Sequence, residues 1–192
     1  MSRSAPIEMN SHRRLSALSL ALLFALVPAH AWSAGNLLVG DEAPPFVVES
    51  GNGEKLTLSA LQGKIVVLFY ENRDAVKKNV DVKDRLNTLY EQNAAIRNTI
   101  FRLAVFDCSH VTWPMTLFWR DALRRHSARL GFTLYGDWDG RMFEHYSMRA
   151  RDSNVFIIDR KGRIRYTRHG QLREPEYNEI YRLLHDLVYD EG

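Results

Sequence analysis

The six residues Ile65-Val66-Val67-Leu68-Phe69-Tyr70 form an unbroken run of β-branched, aliphatic and aromatic side chains. A strand with one exposed face alternates apolar and polar residues, and this run has no such alternation. An unbroken apolar run is typical of a central strand that is covered on both faces by helices. The sequence therefore predicts an α/β protein built around a buried strand at 65–70.

Further elements flank this strand on both sides. We predict strands at 46–49, 100–106 and 132–135, helices at 75–97, 114–130 and 174–189, a helical turn at 140–146, and a β-hairpin formed by 154–159 and 163–167. The 75–97 helix rests on apolar residues at helical spacing, among them Val80, Leu86 and Ile96. Strands that alternate with helices predict a central mixed β-sheet with helices on both faces, a three-layer α/β/α sandwich.

The composition excludes several classes of protein. The 192 residues are 45% hydrophobic and 26% charged, which is typical of a globular domain and not of a disordered chain. A formal net charge of +3 gives little reason to expect nucleic acid as a partner. The single cysteine, Cys108, excludes a CxxC motif, an internal disulfide framework and a multi-thiolate zinc site.

Residues 1–34 have the pattern of an export signal. Arg13-Arg14 precede a run of 13 residues without charge, Leu15 to Val27, and the small-residue site Ala29-His30-Ala31 follows. The run is shorter than the roughly 20 apolar residues that a membrane span needs, so a retained anchor is the less favoured alternative. We predict a cleaved secretory signal peptide at 1–34, one domain at 35–192, a periplasmic location and no membrane span after processing.

Three motifs in order resemble the redoxin branch of the thioredoxin superfamily, which includes AhpC/TSA-type peroxiredoxins and TlpA-like periplasmic thiol reductases. They are Gly40-Asp41-x-Ala43-Pro44-x-Phe46, Leu58-x-x-Leu61-x-Gly63-Lys64, and the segment from Phe156 to Ile164. The resemblance covers residues 38–188 and implies a thioredoxin-like three-layer fold with a central mixed sheet.

The chain departs from that branch where the branch performs its chemistry. Asp74 and Lys77 stand where thiol reductases have the two cysteines of CxxC, and Ser153 stands where they have a cis-proline. The segment from Asn72 to Asn79 and the Asp152-Ser153 pair resemble the YtfJ family of exported, thioredoxin-like bacterial proteins. This second resemblance implies the fold and the compartment and brings no activity with it.

The resemblance also implies a binding groove. In the redoxin branch, the loop after the first central strand meets the segment before the late hairpin and holds the substrate. In this chain those segments, 71–78 and 152–155, contribute Asn72, Arg73, Asp74, Lys77, Ser153 and Asn154. These groups suit a polar backbone or an anion rather than a disulfide. Arg73 is the expected anchor, because a guanidinium pairs bidentately with carboxylate or phosphate. The alternative is that they serve only as local helix caps.

Cys108 is the weak candidate for a catalytic residue, because His110 lies two residues away and could lower the pKa of the thiol. It follows a different strand from the loop that carries the thiols of the family, and no second cysteine can resolve a disulfide. We therefore expect a thiol whose pKa lies near its ordinary value of about 8.5, or higher if the residue is buried. Asp107, Cys108 and His110 could be imagined as metal ligands, but the count of thiolate and imidazole groups is low and the other histidines are scattered, so we expect no metal and no cofactor.

Two function hypotheses remain open. The first is a binding or accessory module of the periplasm without redox chemistry, whose partner is a periplasmic protein, a peptide or a small anionic ligand. The second is a one-cysteine redoxin, a peroxidase-like antioxidant oxidoreductase that uses Cys108 with an external reductant.

Overall fold

The structure, a computed structural model, describes residues 37–189, so the predicted signal peptide lies outside the described residues. The strands are β1 (Val47–Ser50), β2 (Lys55–Thr57), β3 (Ile65–Glu71), β4 (Ile100–Asp107), β5 (Leu134–Asp137), β6 (Asn154–Ile158) and β7 (Ile164–His169). The helices are α1 (Val80–Gln92), α2 (Ala94–Thr99), α3 (Met115–Leu130), α4 (Arg141–His145) and α5 (Glu174–Tyr189), with 3₁₀ turns at Leu58–Leu61 and Ala75–Lys77. No helix within 37–189 is long and apolar enough to cross a bilayer.

The described strands form one mixed sheet in the order β2-β1-β5-β4-β3-β6-β7. β3 pairs in parallel with β4 and antiparallel with β6, and each of its residues is buried. The predicted central strand is therefore confirmed. Because β3, β4 and β5 run parallel, their carboxyl ends meet at one edge of the sheet, where open α/β sheets place their binding sites.

Helices cover both faces of the sheet. The even-numbered residues of β3, such as Leu68, pack with α4 and the segment before β1. The odd-numbered residues, such as Phe69, pack with α1, α2 and α5. α3 packs through Leu123 in a third cluster, over β4 and β5. The predicted three-layer α/β/α sandwich is confirmed.

The single helix predicted over 75–97 is wrong, because the chain breaks there into a 3₁₀ turn and two α-helices. Asn93, between α1 and α2, has an extended backbone, and its side-chain oxygen accepts a hydrogen bond from the Ile96 N–H. Asparagine is among the best N-cap residues, so this cap starts a new helix. The break also changes the buried face, since Val82 faces the core while Val80 is 43% exposed.

α3 ends at the residue where the sequence predicts its end. α3 ends at Leu130, and Gly131 then adopts the left-handed backbone conformation, with φ of 72°. Glycine reaches this conformation without the steric cost that a side chain adds. Because α3 follows β4 in the chain, it starts close to the carboxyl edge of the sheet. It then returns the chain to β5.

Candidate functional site

A closed network of buried polar side chains occupies the carboxyl end of β3. Glu71, the last residue of β3, is 4% exposed. Its carboxylate accepts hydrogen bonds from Lys83 Nζ on α1, at 2.9 and 3.1 Å, and from Ser153 Oγ at 2.7 Å. Ser153 Oγ accepts in turn from Asn79 Nδ2 at 2.9 Å. We call Glu71, Asn79, Lys83 and Ser153 the Glu71 network.

Asn79 connects this network to the segment between β7 and α5. Its Nδ2 also donates to the Gly170 carbonyl at 3.0 Å, and its Oδ1 accepts from the Leu172 N–H at 2.8 Å. The side chain makes no capping hydrogen bond to α1, although Asn79 directly precedes that helix. The hydrogen bonds of this side chain within the described part of the chain are therefore long-range contacts that hold two segments together.

The structure brings the 71–78 and 152–155 segments together through the Glu71–Ser153 hydrogen bond and the Lys78–Asp152 ion pair, but the 152–155 side chains of the predicted groove lie inside the protein. Ser153 and Asn154 are 0% and 1% exposed, so neither can reach a ligand at the surface. Ser153 is buried because its hydroxyl belongs to the Glu71 network. Asn154 is buried because its Nδ2 donates to the carbonyls of Tyr70 and Arg149, while its Oδ1 accepts from the Arg149 N–H.

The loop after β3 behaves differently from the 152–155 segment. Asn72 Oδ1 accepts hydrogen bonds from the N–H groups of Asp74 and Ala75, so Asn72 caps this turn and the Asp74 side chain does not. Arg73, Asp74 and Lys77 are exposed. The capping role that the sequence left open therefore falls to Asn72, and the charged groups of the loop face solvent.

Three of the predicted groove residues line a cavity of about 370 Å³, here called the Arg73 cavity. Asn72, Arg73 and Asp74 form one side of it, and Lys77 is outside the lining. The other side comes from the loop after β4 and the start of α3: Asp107, His110, Val111, Thr112, Met115 and Trp119. The Arg73 cavity thus lies between the loop after β3 and the 107–119 segment, while Glu71 and Lys78, at the two ends of the 71–78 segment, contact Ser153 and Asp152.

A group of exposed apolar side chains lies beside this cavity, at the start of α3. Trp113 is 80% exposed, Met115 50%, Leu117 62% and Phe118 65%. We call these four residues the α3 apolar surface. The sequence analysis missed it, although the signal was present. In the 113–119 segment only Thr116 is polar, so the apolar residues at the start of α3 extend beyond the single apolar face of a helix that only covers a sheet.

Cys108 lies directly after β4 and is fully buried, packed with Leu123 and Leu134. Burial, together with the carboxylates of Asp107 and Asp137, raises the pKa of the thiol to about 12. Both effects disfavour the thiolate, in the direction that the sequence analysis expected for a buried thiol. His110, the proposed activating residue, is exposed and lines the Arg73 cavity.

A buried carboxylate that the sequence analysis did not single out lies at the end of β5. Asp137 Oδ2 accepts hydrogen bonds from the Tyr70 hydroxyl and the Phe143 N–H, both at 3.0 Å. Oδ1 is buried without a hydrogen-bond partner among the described residues, and burial raises the pKa of Asp137. Its only sequence signal is an acidic residue at a strand end. Within 37–189, no group of three or more His, Cys, Asp or Glu side chains is placed to hold a metal ion.

Comparisons with known proteins agree with this architecture. The chain is similar to a putative thiol:disulfide interchange protein DsbE from Chlorobium tepidum, at 19% identity and a TM-score of 0.59, over 80% of this chain and 99% of that one. It is also similar to a peroxiredoxin-like protein from Aquifex aeolicus, at 20% identity and a TM-score of 0.54, over 81% and 91% of the two chains. A third similar structure is the pneumococcal exposed lipoprotein thioredoxin Etrx1 from Streptococcus pneumoniae, at 19% identity and a TM-score of 0.54, over 75% and 100%.

These likenesses show a thioredoxin-like fold, because identities near 20% carry no more than the fold. No curated protein matches the chain. Residues 39–167 match the model of the AhpC/TSA family. The match spans more than half of the sequence and includes β1 to β6 and most of β7. The chain therefore belongs to the AhpC/TSA family.

Proposed function

We propose that this protein is an exported binding or accessory module of the periplasm that performs no thiol redox chemistry. One observation carries the proposal: the only thiol of the chain, Cys108, is fully buried and has a pKa raised to about 12. Asp74 and Lys77 stand where thiol reductases of the redoxin branch have their cysteines. Neither side chain can exchange electrons with a disulfide or a peroxide.

The chemistry of a thiol peroxidase makes the argument quantitative. The thiolate attacks the peroxide oxygen, so the rate depends on the fraction of ionised and accessible thiol. With a pKa of about 12, roughly one Cys108 in 10⁵ is ionised at neutral pH, and none of the side chain is exposed. The geometry therefore gives the one-cysteine redoxin hypothesis no reactive group.

The Arg73 cavity and the adjoining α3 apolar surface supply a binding site in place of a thiol site. Arg73 is exposed and forms no ion pair with another described residue, so its guanidinium is available for a carboxylate. Val111, Met115 and Trp119 give the cavity an apolar side. Exposed apolar patches of this kind mark protein interaction sites, and tryptophan and methionine are enriched in them. We infer a polypeptide partner that places a carboxylate on Arg73 and apolar side chains against α3.

Export is part of the proposal and rests on the sequence. The apolar run from Leu15 to Val27, with Arg13-Arg14 before it and small residues after it, supports a cleaved signal. The similarity to a protein described as an exposed lipoprotein thioredoxin supports the same location. Intact-mass measurement of protein recovered from the periplasm tests this part, with a start near Trp32 or Gly35 expected. Recovery of the full-length chain from the inner membrane would contradict it.

Binding is tested by capture from periplasmic extract, with and without reductant, on the mature protein and three variants. Arg73→Ala removes the guanidinium, and Trp113→Ser removes the most exposed part of the α3 apolar surface. Tyr181→Ser is the matched control, since Tyr181 is an exposed aromatic residue on α5. We expect the same partner with and without reductant, weaker capture by the first two variants, and unchanged capture by the control.

Two results would overturn the proposal. One is a partner that binds Arg73→Ala and Trp113→Ser as tightly as the parent. The other is peroxide or disulfide reduction by the parent that disappears in Cys108→Ala while the variant remains folded. The second result would restore the one-cysteine redoxin hypothesis.

A further inference from the structure

A second cavity, of about 470 Å³, lies at the carboxyl end of β7 and has a basic lining. Arg149, Arg168 and His169 line it together with the hydroxyl-bearing residues Ser147 and Thr167. We propose that this cavity binds the dianionic phosphate group of a small phosphate monoester. The proposal goes beyond the polypeptide-binding function and uses none of the residues of the Arg73 cavity.

The charges around the cavity favour an anion. Arg149 forms no ion pair with another described residue, and none of the described residues that line the cavity is acidic. Arg168 Nη2 donates to Glu176 of α5 at 3.1 Å, in a pair where Arg168 is 54% exposed, so the rest of its guanidinium remains available. A guanidinium presents parallel N–H groups that match the oxygens of a phosphate. Two such groups in one cavity supply the charge that a dianion needs.

The hydrogen bonds of Asn154 determine which nitrogen of His169 faces the cavity as a free group. Asn154 Nδ2 donates to three backbone carbonyls, those of Tyr70, Arg149 and Asp152, and these acceptors fix the orientation of the amide. Its Oδ1 therefore accepts, and His169 Nδ1, 2.6 Å away, carries the hydrogen. Nε2 of His169 has no partner among the described residues, and it is the atom left to interact with a ligand.

His169 is also placed to respond to a bound anion. Burial lowers its pKa, and Arg149 and Arg168 lower it further, while Asp152 acts in the opposite direction. Asp152 is itself paired with Lys78 at 2.6 Å, and Glu176 reaches the site only through Arg168. A dianion between the two arginines would cancel their effect, so Nε2 would bind a proton and donate it to a phosphate oxygen. Above the second pKa of the ester phosphate, about 6, where the free ligand is already a dianion, binding should therefore take up a proton and strengthen as the pH falls.

The size of the cavity indicates an ester rather than the free ion. Ligand cavities of small organic molecules measure about 300–1,000 Å³, and 470 Å³ lies within that range. Inorganic phosphate would occupy only part of this volume. The phosphate chemistry is the same for both sources, and the experiment distinguishes them.

The test is isothermal titration calorimetry on the mature protein at about pH 7 and about pH 8.5, both above the second pKa of a phosphate monoester, in two buffers that differ in ionisation enthalpy. The probes are inorganic phosphate, glycerol phosphate and succinate. We expect glycerol phosphate to bind more tightly than inorganic phosphate, succinate to bind at least about tenfold more weakly, and binding at the lower pH to take up a proton.

Three variants complete the experiment, each first checked for a cooperative thermal transition. Arg149→Gln should weaken binding by about tenfold or more at both pH values. His169→Gln keeps an amide donor but cannot titrate, so binding should lose its proton uptake and its pH dependence. Arg129→Gln, an exposed arginine on α3, is the matched control and should bind like the parent.

Several outcomes would overturn the proposal. They are no binding of either phosphate probe by the parent at millimolar concentration, equal binding by Arg149→Gln and the parent, and equal binding of succinate and glycerol phosphate. Because Arg73 and the α3 apolar surface play no part in these measurements, failure here leaves the proposed polypeptide-binding function untouched.

Discussion

Asn79→Ala tests whether the Glu71 network holds the carboxyl edge of the sheet together. The substitution removes the two hydrogen bonds donated by Nδ2, to Ser153 Oγ and the Gly170 carbonyl. It also removes the acceptor of the Leu172 N–H, in a contact that is buried. Because the Asn79 side chain does not cap α1, the effect should come from these long-range contacts and not from the helix.

The magnitude follows from the number and burial of these bonds. An intramolecular hydrogen bond contributes about 1 kcal/mol net, and a buried donor left without an acceptor costs about 1–3 kcal/mol. We therefore expect Asn79→Ala to lower the free energy of unfolding by about 3 kcal/mol. For a domain of this size that corresponds to a Tm lower by roughly 6–12 °C.

The assay is urea unfolding of the mature parent and variant, followed by far-UV circular dichroism and tryptophan fluorescence. Asn98→Ala is the matched control, because Asn98 is exposed on α2 and its side chain makes no hydrogen bond to another described residue. A loss below about 1 kcal/mol, or one equal to that of Asn98→Ala, would refute the reasoning, since the three bonds would then contribute nothing beyond an ordinary surface substitution.

Three further predictions concern the buried thiol, the buried carboxylate and one turn. Since the pKa of Cys108 is raised to about 12, alkylation of the native protein should be slow at neutral pH and rise with pH without a plateau below about pH 10, whereas a plateau near pH 6.5 would contradict it. Burial raises the pKa of Asp137, so the native state loses stability as the pH rises through that pKa. Asp137→Asn keeps an acceptor for the Tyr70 hydroxyl and should be more stable than the parent at neutral pH. In unfolding series at decreasing pH, this difference in stability should shrink. At Gly51 a Cβ atom would lie only 2.7 Å from the Arg124 N atom of α3, so Gly51→Ala should destabilise by about 1–3 kcal/mol in urea unfolding, and an unchanged midpoint would contradict the packing.

The sequence predicted the elements that have a simple local signal. β3 was identifiable because residues 65–70 form an unbroken apolar run, as expected for a strand buried on both faces. α3 was identifiable because Gly131 ends it. The break between α1 and α2 was not identifiable from apolar spacing, which continues from Leu86 to Ile96 across Asn93. A single capping side chain decides that break, and an asparagine inside a helical pattern is equally compatible with an exposed helix position.

The candidate site was predictable on one side only. The loop after β3 was placed correctly at the end of the sheet, and Arg73 does line a cavity. Ser153 and Asn154 were expected to bind a ligand because the family resemblance places their segment in a groove, but polar side chains are also the groups that satisfy buried polar atoms. Which of these roles a serine or an asparagine takes depends on neighbours distant in sequence, here Glu71 and Tyr70.

The two cavities and the Glu71 network together suggest why this chain can keep the fold of a redox family without its thiols. Ser153 binds Glu71, which directly precedes Asn72 of the Arg73 cavity, and Asn154 binds His169 of the basic cavity. Adjacent residues of one segment thus hold both cavities in place through side chains that are themselves buried. Asp74 and Lys77, at the positions where thiol reductases have their cysteines, are exposed beside this network, so the buried strand end leaves that loop accessible to solvent. The lack of a thiol in the loop therefore follows from which residues occupy positions 74 and 77, and not from burial of the strand end.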